Sequence, residues 1–239
     1  SFESIVPKMQ QLAGGRKDKE YYVRGTYTRD NLDFYKDVLA LYQLGFDQIS
    51  VEPVVGPPED NYSIRQQDLT EIEESYQQLM AQMINRRQQG KEDFNFFHFM
   101  VDLDNGPCAI KRLKGCGSGN EYIAVTPDGD IYPCHQFVGN PDFKMGTVDT
   151  GILRKDLKKQ FADANLLQKK ACQNCWAKLF CSGGCNANNH TFNGSILVPH
   201  ELSCEIEKVR MECAIALQAA TAVGTQKQTT PLPVKEQKI

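Results

Sequence analysis

Apolar and polar positions along the first half of the chain switch between a strand rhythm and a helix rhythm. YYVRGTYT (21–28) is dense in aromatic and β-branched residues and predicts a strand. After Thr28 or Asp30, either of which suits a helix cap, Leu32, Tyr35, Val38, Leu39 and Tyr42 recur at helical spacing as far as Gly45. FDQISVEPVV (46–55) predicts a second strand, closed by Gly56-Pro57-Pro58. Within residues 68–90, Leu69, Ile72, Tyr76, Leu79 and Met83 mark the buried stripe of a long helix that ends at Gly90. FNFFHFMVDL (94–103) predicts a third strand. Strand and helix in alternation argue for parallel βαβ units, an α/β fold. Three strands are too few for a closed barrel, which agrees with a truncated one.

The second half has a different pattern. EYIAVTPDGDIYPC (121–134) predicts a β-hairpin turning at Pro127-Asp128-Gly129. FKMGTV suits a short strand, ILRKDLKKQF a helix, and LSCEIEKVRMECAIALQAA (202–220) a longer helix. GTQKQTTPLPVKEQKI (224–239) has the composition of a disordered tail. The boundary falls near residue 105, at Asn105-Gly106-Pro107, dividing the chain into 1–105, 106–223 and the tail. No internal repeat is present.

Composition adds mainly exclusions. The 239 residues are 41% hydrophobic and 24% charged, an ordinary globular balance. A net charge of −3 gives no reason to expect nucleic acid or an anionic membrane as partner. No apolar run reaches the roughly 18 residues of a transmembrane helix. The opening SFESIVPKMQ lacks the basic start and apolar core of a signal peptide, and its abrupt beginning without Met suggests a fragment of a longer chain.

The nine cysteines are the anomaly: positions 108, 116, 134, 172, 175, 181, 185, 204 and 213, all in the second half. A secreted disulfide protein would be small, signal-bearing and stapled throughout, so a cytoplasmic metalloprotein fits better. Cys213 shares one helical face with Ile206, Val209, Ala216 and Leu217 and reads as a small core hydrophobe. The other eight suit metal. In Cys172-x-x-Cys175 two thiolates can grip one centre, and Gly183-Gly184 lets the chain turn tightly before Cys185. Cys116 and Cys134 flank the hairpin, whose folding draws them together, and Cys204 arrives from the start of the last helix. Four thiolates serve a structural zinc ion or an iron–sulfur cluster equally well, so local ligand chemistry leaves both open.

Taken whole, Cys116, Gly129, Cys134, Cys172-x2-Cys175-x5-Cys181-x3-Cys185 and Cys204 resemble the seven-cysteine SPASM domain of radical S-adenosylmethionine peptide-modifying enzymes. GCGSGNEYIAVTPDGDIYPCHQFVG, VRGTYTRDNLDF and the Val51-Glu52-Pro53 strand are similar, more narrowly, to maturases that install thioether crosslinks in SCIFF-type peptides. The resemblance implies that residues 1–105 are the later βα units of a partial (β/α)6 TIM-type barrel, and that 106–223 are a small SPASM domain of hairpin and helices.

The resemblance also implies two auxiliary 4Fe–4S clusters. Cys116, Cys134 and Cys185 would hold the first, with Cys108 as its fourth ligand or an open iron in its place. Cys172, Cys175, Cys181 and Cys204 would hold the second. Family chemistry begins at a third 4Fe–4S cluster on a CxxxCxxC motif, which binds S-adenosylmethionine. This chain has no such motif, since Asn188 stands where the last cysteine after Cys181-x3-Cys185 would be. The parent chain would carry it, and this part alone would be inactive.

The implied reaction joins a cysteine sulfur to an α-carbon of a cysteine-rich precursor peptide, an oxidation for which an auxiliary cluster is an electron sink and an electron donor or acceptor protein a partner. Sulfatase-maturing relatives carry Asp after the hairpin cysteine; here it is His135, a candidate base. Sulfatase maturation, carbon–carbon crosslinking and a non-enzymatic zinc-stapled binding module are the competing readings. Arg24 and Glu52, on expected strands, are candidates for S-adenosylmethionine or substrate contact, or else a salt-bridged pair. His98, His190 and His200 belong to no motif and read as structural or surface residues, and Trp176 as packing.

Overall fold

The computed structural model describes residues 2–16, 20–91, 93–103, 106 and 108–225. It opens with a helix absent from the sequence expectation, α1 (Phe2–Gly15), which carries Pro7 and buries none of its residues. Phe2, Ile5, Met9 and Leu12 recur at helical spacing along it, and Met9 and Ala13 rest on the edge of the first core.

The expected alternation then follows. Strand β1 (Val23–Tyr27) leads through a 3-10 turn (Arg29–Asn31) into α2 (Tyr35–Gln43). Thr28 caps that turn reciprocally: its hydroxyl accepts from Asp30 N at 3.1 Å, and its own N–H donates to Asn31 Oδ1 at 2.8 Å. Strand β2 (Gln48–Pro53) pairs parallel to β1, with Val23 opposite Ile49 and Thr26 opposite Glu52. Helix α3 (Leu69–Gln88) buries Ile72, Tyr76, Leu79 and Met83 as its stripe required.

Strand β3 is only Asn95–Phe96, pairing parallel to β2, whereas the sequence suggested residues 94–103. The chain instead turns into a 3-10 segment, Phe97–Phe99. A strand would place residues 97 and 99 on one face. The turn instead buries Phe96, His98 and Phe99 together and leaves Phe97 exposed.

After the short helix α4 (Ala109–Arg112) come β4 (Ala124–Val125), β5 (Asp130–Tyr132), β6 (Gly146–Thr147) and β7 (Gly151–Ile152), a fully antiparallel sheet in chain order. Helix α5 (Lys155–Asp163) packs Leu157 and Phe161 into a second core with Phe137, Phe143 and Met145. Each such apolar side chain removed from water contributes about 1.5–3 kcal/mol.

The cysteine-rich loop forms two short helices, α6 (Lys178–Cys181) and α7 (Asn186–Asn193), before α8 (Glu201–Thr225). Helix α8 returns to the parallel sheet and lies along α3. It inserts Leu202, Ile206, Met211, Ala214 and Leu217 into the first core, together with Cys213 at 5% exposure, the small buried hydrophobe its spacing suggested. The tail from 226 onward, and Asn105 and Pro107 of the expected boundary, lie outside the described residues.

Candidate metal centre

Glycine geometry brings the first thiols together. Gly115, Gly117 and Gly119 all take positive φ, folding residues 115–119 back upon themselves. The Gly119 N–H donates to both Tyr122 O at 2.8 Å and Pro133 O at 2.9 Å, so the Cys116 loop is tied to the residue before Cys134. A Cβ at Gly119 would sit 2.6 Å from Phe161 Cγ, so no larger residue fits.

A second device shapes the loop from Cys172 to Cys185. Ser182, Gly183 and Gly184 all have positive φ, at 61°, 88° and 73°. Ser182 is the single non-glycine residue in that region among the described residues. Their reversed backbone turns the N–H groups of Gly183 and Gly184 onto the Cys181 sulfur. The Gln136 and Phe137 N–H groups meet the Cys134 sulfur in the same manner. Such donors favour a thiolate, and they tune sulfur ligands of metal centres.

Electrostatic neighbours divide the cysteines into two sets. Cys134 feels Cys185 and Cys116. Cys204 feels Cys172 and Cys175, while Cys181 feels Cys204. Cys181 and Cys185, only four residues apart in sequence, thus have different cysteines among these neighbours, although Cys181 also lines a cavity with Cys108 and Cys116. Burial, the leading cause, pushes Cys181 and Cys204 up to about 11, and it raises Cys134 and Cys172 as well. These thiols hold their protons at neutral pH unless a metal displaces them.

All nine cysteines are free. Two cavities border the sets. One of about 660 Å³ is lined by Cys108, Cys116, Cys181, Arg112, Glu207 and Arg210. The other, about 570 Å³, is lined by Cys172, Cys175, Cys181, Cys204 and the half-exposed Trp176. Among the described residues, no three His, Cys, Asp or Glu side chains converge as they would on one metal ion. The N–H groups aimed at the Cys134 and Cys181 sulfurs suit sulfur ligands of a metal centre, zinc and iron–sulfur alike. Cys108 is exposed at the start of α4, on the rim of the first cavity.

The remaining candidates lie in two places. His135 is exposed, its Nδ1 3.5 Å from Tyr122 Oη. Arg24 and Glu52 meet across β1 and β2 at 3.5 Å, with the Arg24 side chain 68% exposed. Glu52 also contacts His98 Nε2 at 3.2 Å and Arg210 Nη1 at 3.8 Å. Burial alone would raise the Glu52 carboxyl, but the His98 contact and the Arg210 and Arg24 charges hold it below its ordinary value. Burial lowers His98, partly offset by Glu52.

Arg210 pairs in turn with Glu207 one helical turn earlier, and both lie close to the first cavity. Sequence reasoning missed this pair. Its signal was a charged couple at i,i+3 between the apolar residues Ile206 and Met211. His200 stacks on Phe192 with ring centroids 3.8 Å apart, and His190 packs edge-on against Phe143, both structural placements.

Residues 116–176 match the model of the SPASM iron–sulfur cluster-binding domain. No curated protein matches the chain. Among solved structures, native anSMEcpe with bound AdoMet and Kp18Cys peptide aligns with a TM-score of 0.64 at 17% identity, covering 95% of this chain and 63% of that one. Native anSMEcpe with bound AdoMet aligns at 0.63 and 18% identity over 91% of this chain and 62% of that one. The fold is thus shared with these proteins, and the chain spans a little over three-fifths of their length. No helix among the described residues is long and apolar enough to cross a membrane.

Proposed function

We propose that the chain is part of a radical S-adenosylmethionine peptide maturase whose cysteine-rich half holds two auxiliary 4Fe–4S clusters. The observation that carries this reading is the match of residues 116–176, with Cys116, Cys134, Cys172 and Cys175, to an iron–sulfur domain, beside the proximity of Cys134 to Cys185 and Cys116 and of Cys204 to Cys172 and Cys175. Cys116, Cys134, Cys185 and Cys108 would hold one cluster, and Cys172, Cys175, Cys181 and Cys204 the other. When bound, clusters of this kind supply one-electron chemistry and Lewis acidity towards a sulfur ligand. Free thiols throughout the chain suit a reducing, cytoplasmic setting.

The substrate in this reading is a ribosomally made cysteine-rich peptide, and the product a bond from cysteine sulfur to an α-carbon. Solved relatives described with bound AdoMet and the Kp18Cys or Cp18Cys peptide support a peptide substrate. Forming the thioether removes two hydrogens from the peptide. The carbon loses one as an atom to the 5′-deoxyadenosyl radical. The thiol loses the other as a proton, and one electron leaves to an acceptor protein. His135 is the residue proposed to take the proton, and Arg24 and Glu52 are proposed to face S-adenosylmethionine or the peptide. The cavity lined by Arg112, Glu207 and Arg210 offers charged groups of both signs to a peptide backbone. The radical requires a CxxxCxxC motif that this sequence lacks, so the reading places it elsewhere in the parent chain.

Anaerobic reconstitution with iron and sulfide tests the proposal. About eight iron and eight sulfide per chain are expected, from two clusters of four. Tight zinc with no acid-labile sulfide would overturn it, because zinc takes up no electron.

A further inference from the structure

Lys169 is 1% exposed and lies among the largest fully buried side chains of the protein. Its Nζ donates to Gly183 O at 2.8 Å and to Asn186 Oδ1 at 3.0 Å. Both partners are neutral, and no carboxylate pairs with it among the described residues. A buried ammonium is costly without a compensating negative charge, and lysine is among the residues least often buried alone. The nearby groups able to supply that charge are sulfurs: Cys172, Cys181, Cys185 and Cys116 all act on Lys169. They come from both thiol neighbourhoods.

The same side chain occupies a structural crossing point. Asn186, which accepts from Lys169, donates through Nδ2 to Ser118 Oγ at 3.1 Å, two residues from Cys116. Gly183 stands between Cys181 and Cys185, and a Cβ on it would lie 2.9 Å from Lys169 Cδ. The lysine stem therefore fills the space that Gly183 leaves open. One chain of contacts, Lys169 to Asn186 to Ser118, joins the approach to Cys172, the turn before Cys185 and the Cys116 loop.

We propose that Lys169 is a shared internal cation of the two sulfur sets, a positioning residue that offsets their gathered negative charge and raises the reduction potential of both bound groups. The proposal rests on the reading of those sets as cluster ligands. Its sign follows from Coulomb's law. Reduction adds negative charge beside the ammonium and is favoured by it, and in a water-poor interior that influence is weakly screened.

The test uses the chain reconstituted anaerobically with iron and sulfide, with midpoint potentials read by electron paramagnetic resonance during a dithionite titration. Lys169→Met keeps the length and removes the charge. Both potentials should fall, each by at least a tenfold change in the reduced-to-oxidised ratio, about 59 mV for a one-electron couple. Asn186→Ala breaks the Ser118 tie while keeping the charge, and should leave both potentials near the wild-type values. Normal iron content in Lys169→Met with potentials moved by less than half that amount overturns the proposal, as does a shift in Asn186→Ala as large as that in Lys169→Met. If Lys169→Met loads no iron, Lys169→Arg decides: loading restored by the second cation supports a role for charge, and loss in both variants shows a packing role and overturns it. A wild-type chain that takes up no iron and sulfide fails at an earlier point and removes the cluster reading as well.

Discussion

Cys181 and Cys185 bracket the Ser182-Gly183-Gly184 turn, yet the charges that act through them differ: Cys181 is influenced by Cys204, whereas Cys185 acts on Cys134. Three consecutive residues with positive φ make this divergence possible, because each reverses the local backbone direction. In the proposed reading the loop bridges two sulfur sets. Replacing Cys185 by Ala should roughly halve the iron and sulfide bound after anaerobic reconstitution, since two sets of four thiolates share the load. If the loop were one self-contained four-thiol site, the variant would lose nearly all of it. Residual iron close to zero would reject the bridge.

Gly119 is a backbone requirement independent of any metal. Its φ is 74°, its N–H serves two carbonyls, and a Cβ would be driven into Phe161. Gly119→Ala combines a left-handed strain with overpacking, each costing roughly 1–3 kcal/mol. Urea unfolding of the metal-free chain should show the sum, a loss of about 2–6 kcal/mol. Gly139→Ala provides a control for strain alone, since its φ is also positive but nothing lies near its Cβ. An equal loss in the two variants would contradict the packing argument.

The parallel sheet, α3 and the hairpin were legible because each leaves a periodic apolar record: Ile72, Tyr76, Leu79 and Met83 on the helix, Ile131 buried against the sheet face. Helix α1 carries a comparable stripe in Phe2, Ile5, Met9 and Leu12 that the sequence reading passed over, although the helix buries none of its residues fully. Residues 97–103 were misread as strand because Phe97, Phe99 and Val101 alternate correctly for one, while a tertiary preference for burying His98 against Glu52 decides otherwise. The thiols were visible as residue types at telling intervals. Lys169 was not, since a single lysine carries no sequence mark of burial, and Arg210 left only its i,i+3 spacing from Glu207 between apolar residues; packing of distant segments around them removes their water.

Arg210 holds two carboxylates on buried ground. It contacts Glu207 on its own helix and Glu52 on β2 at 3.8 Å, with side-chain exposures of 16%, 12% and 31% in that order. Removing the cation leaves Glu207, whose carboxyl burial already raises, without its partner. Arg210→Met should destabilise the chain by about 3–5 kcal/mol, as breaking a buried pair typically does. Arg24→Ala, on the exposed side of the same Glu52, should cost less than about 1 kcal/mol. Equilibrium denaturation of both variants checks the contrast, and similar losses would show that Arg210 is not the organising charge.

His98 makes the parallel sheet sensitive to acid. Burial depresses its pKa below the ordinary histidine value of about 6.5, against the partial support of Glu52. The unfolded chain therefore binds this proton more readily than the folded one. Stability is fully present above about pH 6.5 and is lost as pH falls from there towards the lower folded pKa. Glu52 also has a lowered pKa, but its loss sets in only below about 4.5, so it does not confuse the upper window. Nearby Arg210 and Arg24 strengthen the effect, because a protonated His98 would face two positive charges. Melting temperature should drop between pH 7 and pH 5, and in His98→Gln the drop should be shallower. The glutamine amide can still reach towards Glu52 but cannot take up a proton. An identical slope in variant and wild type would assign the acid sensitivity to other groups.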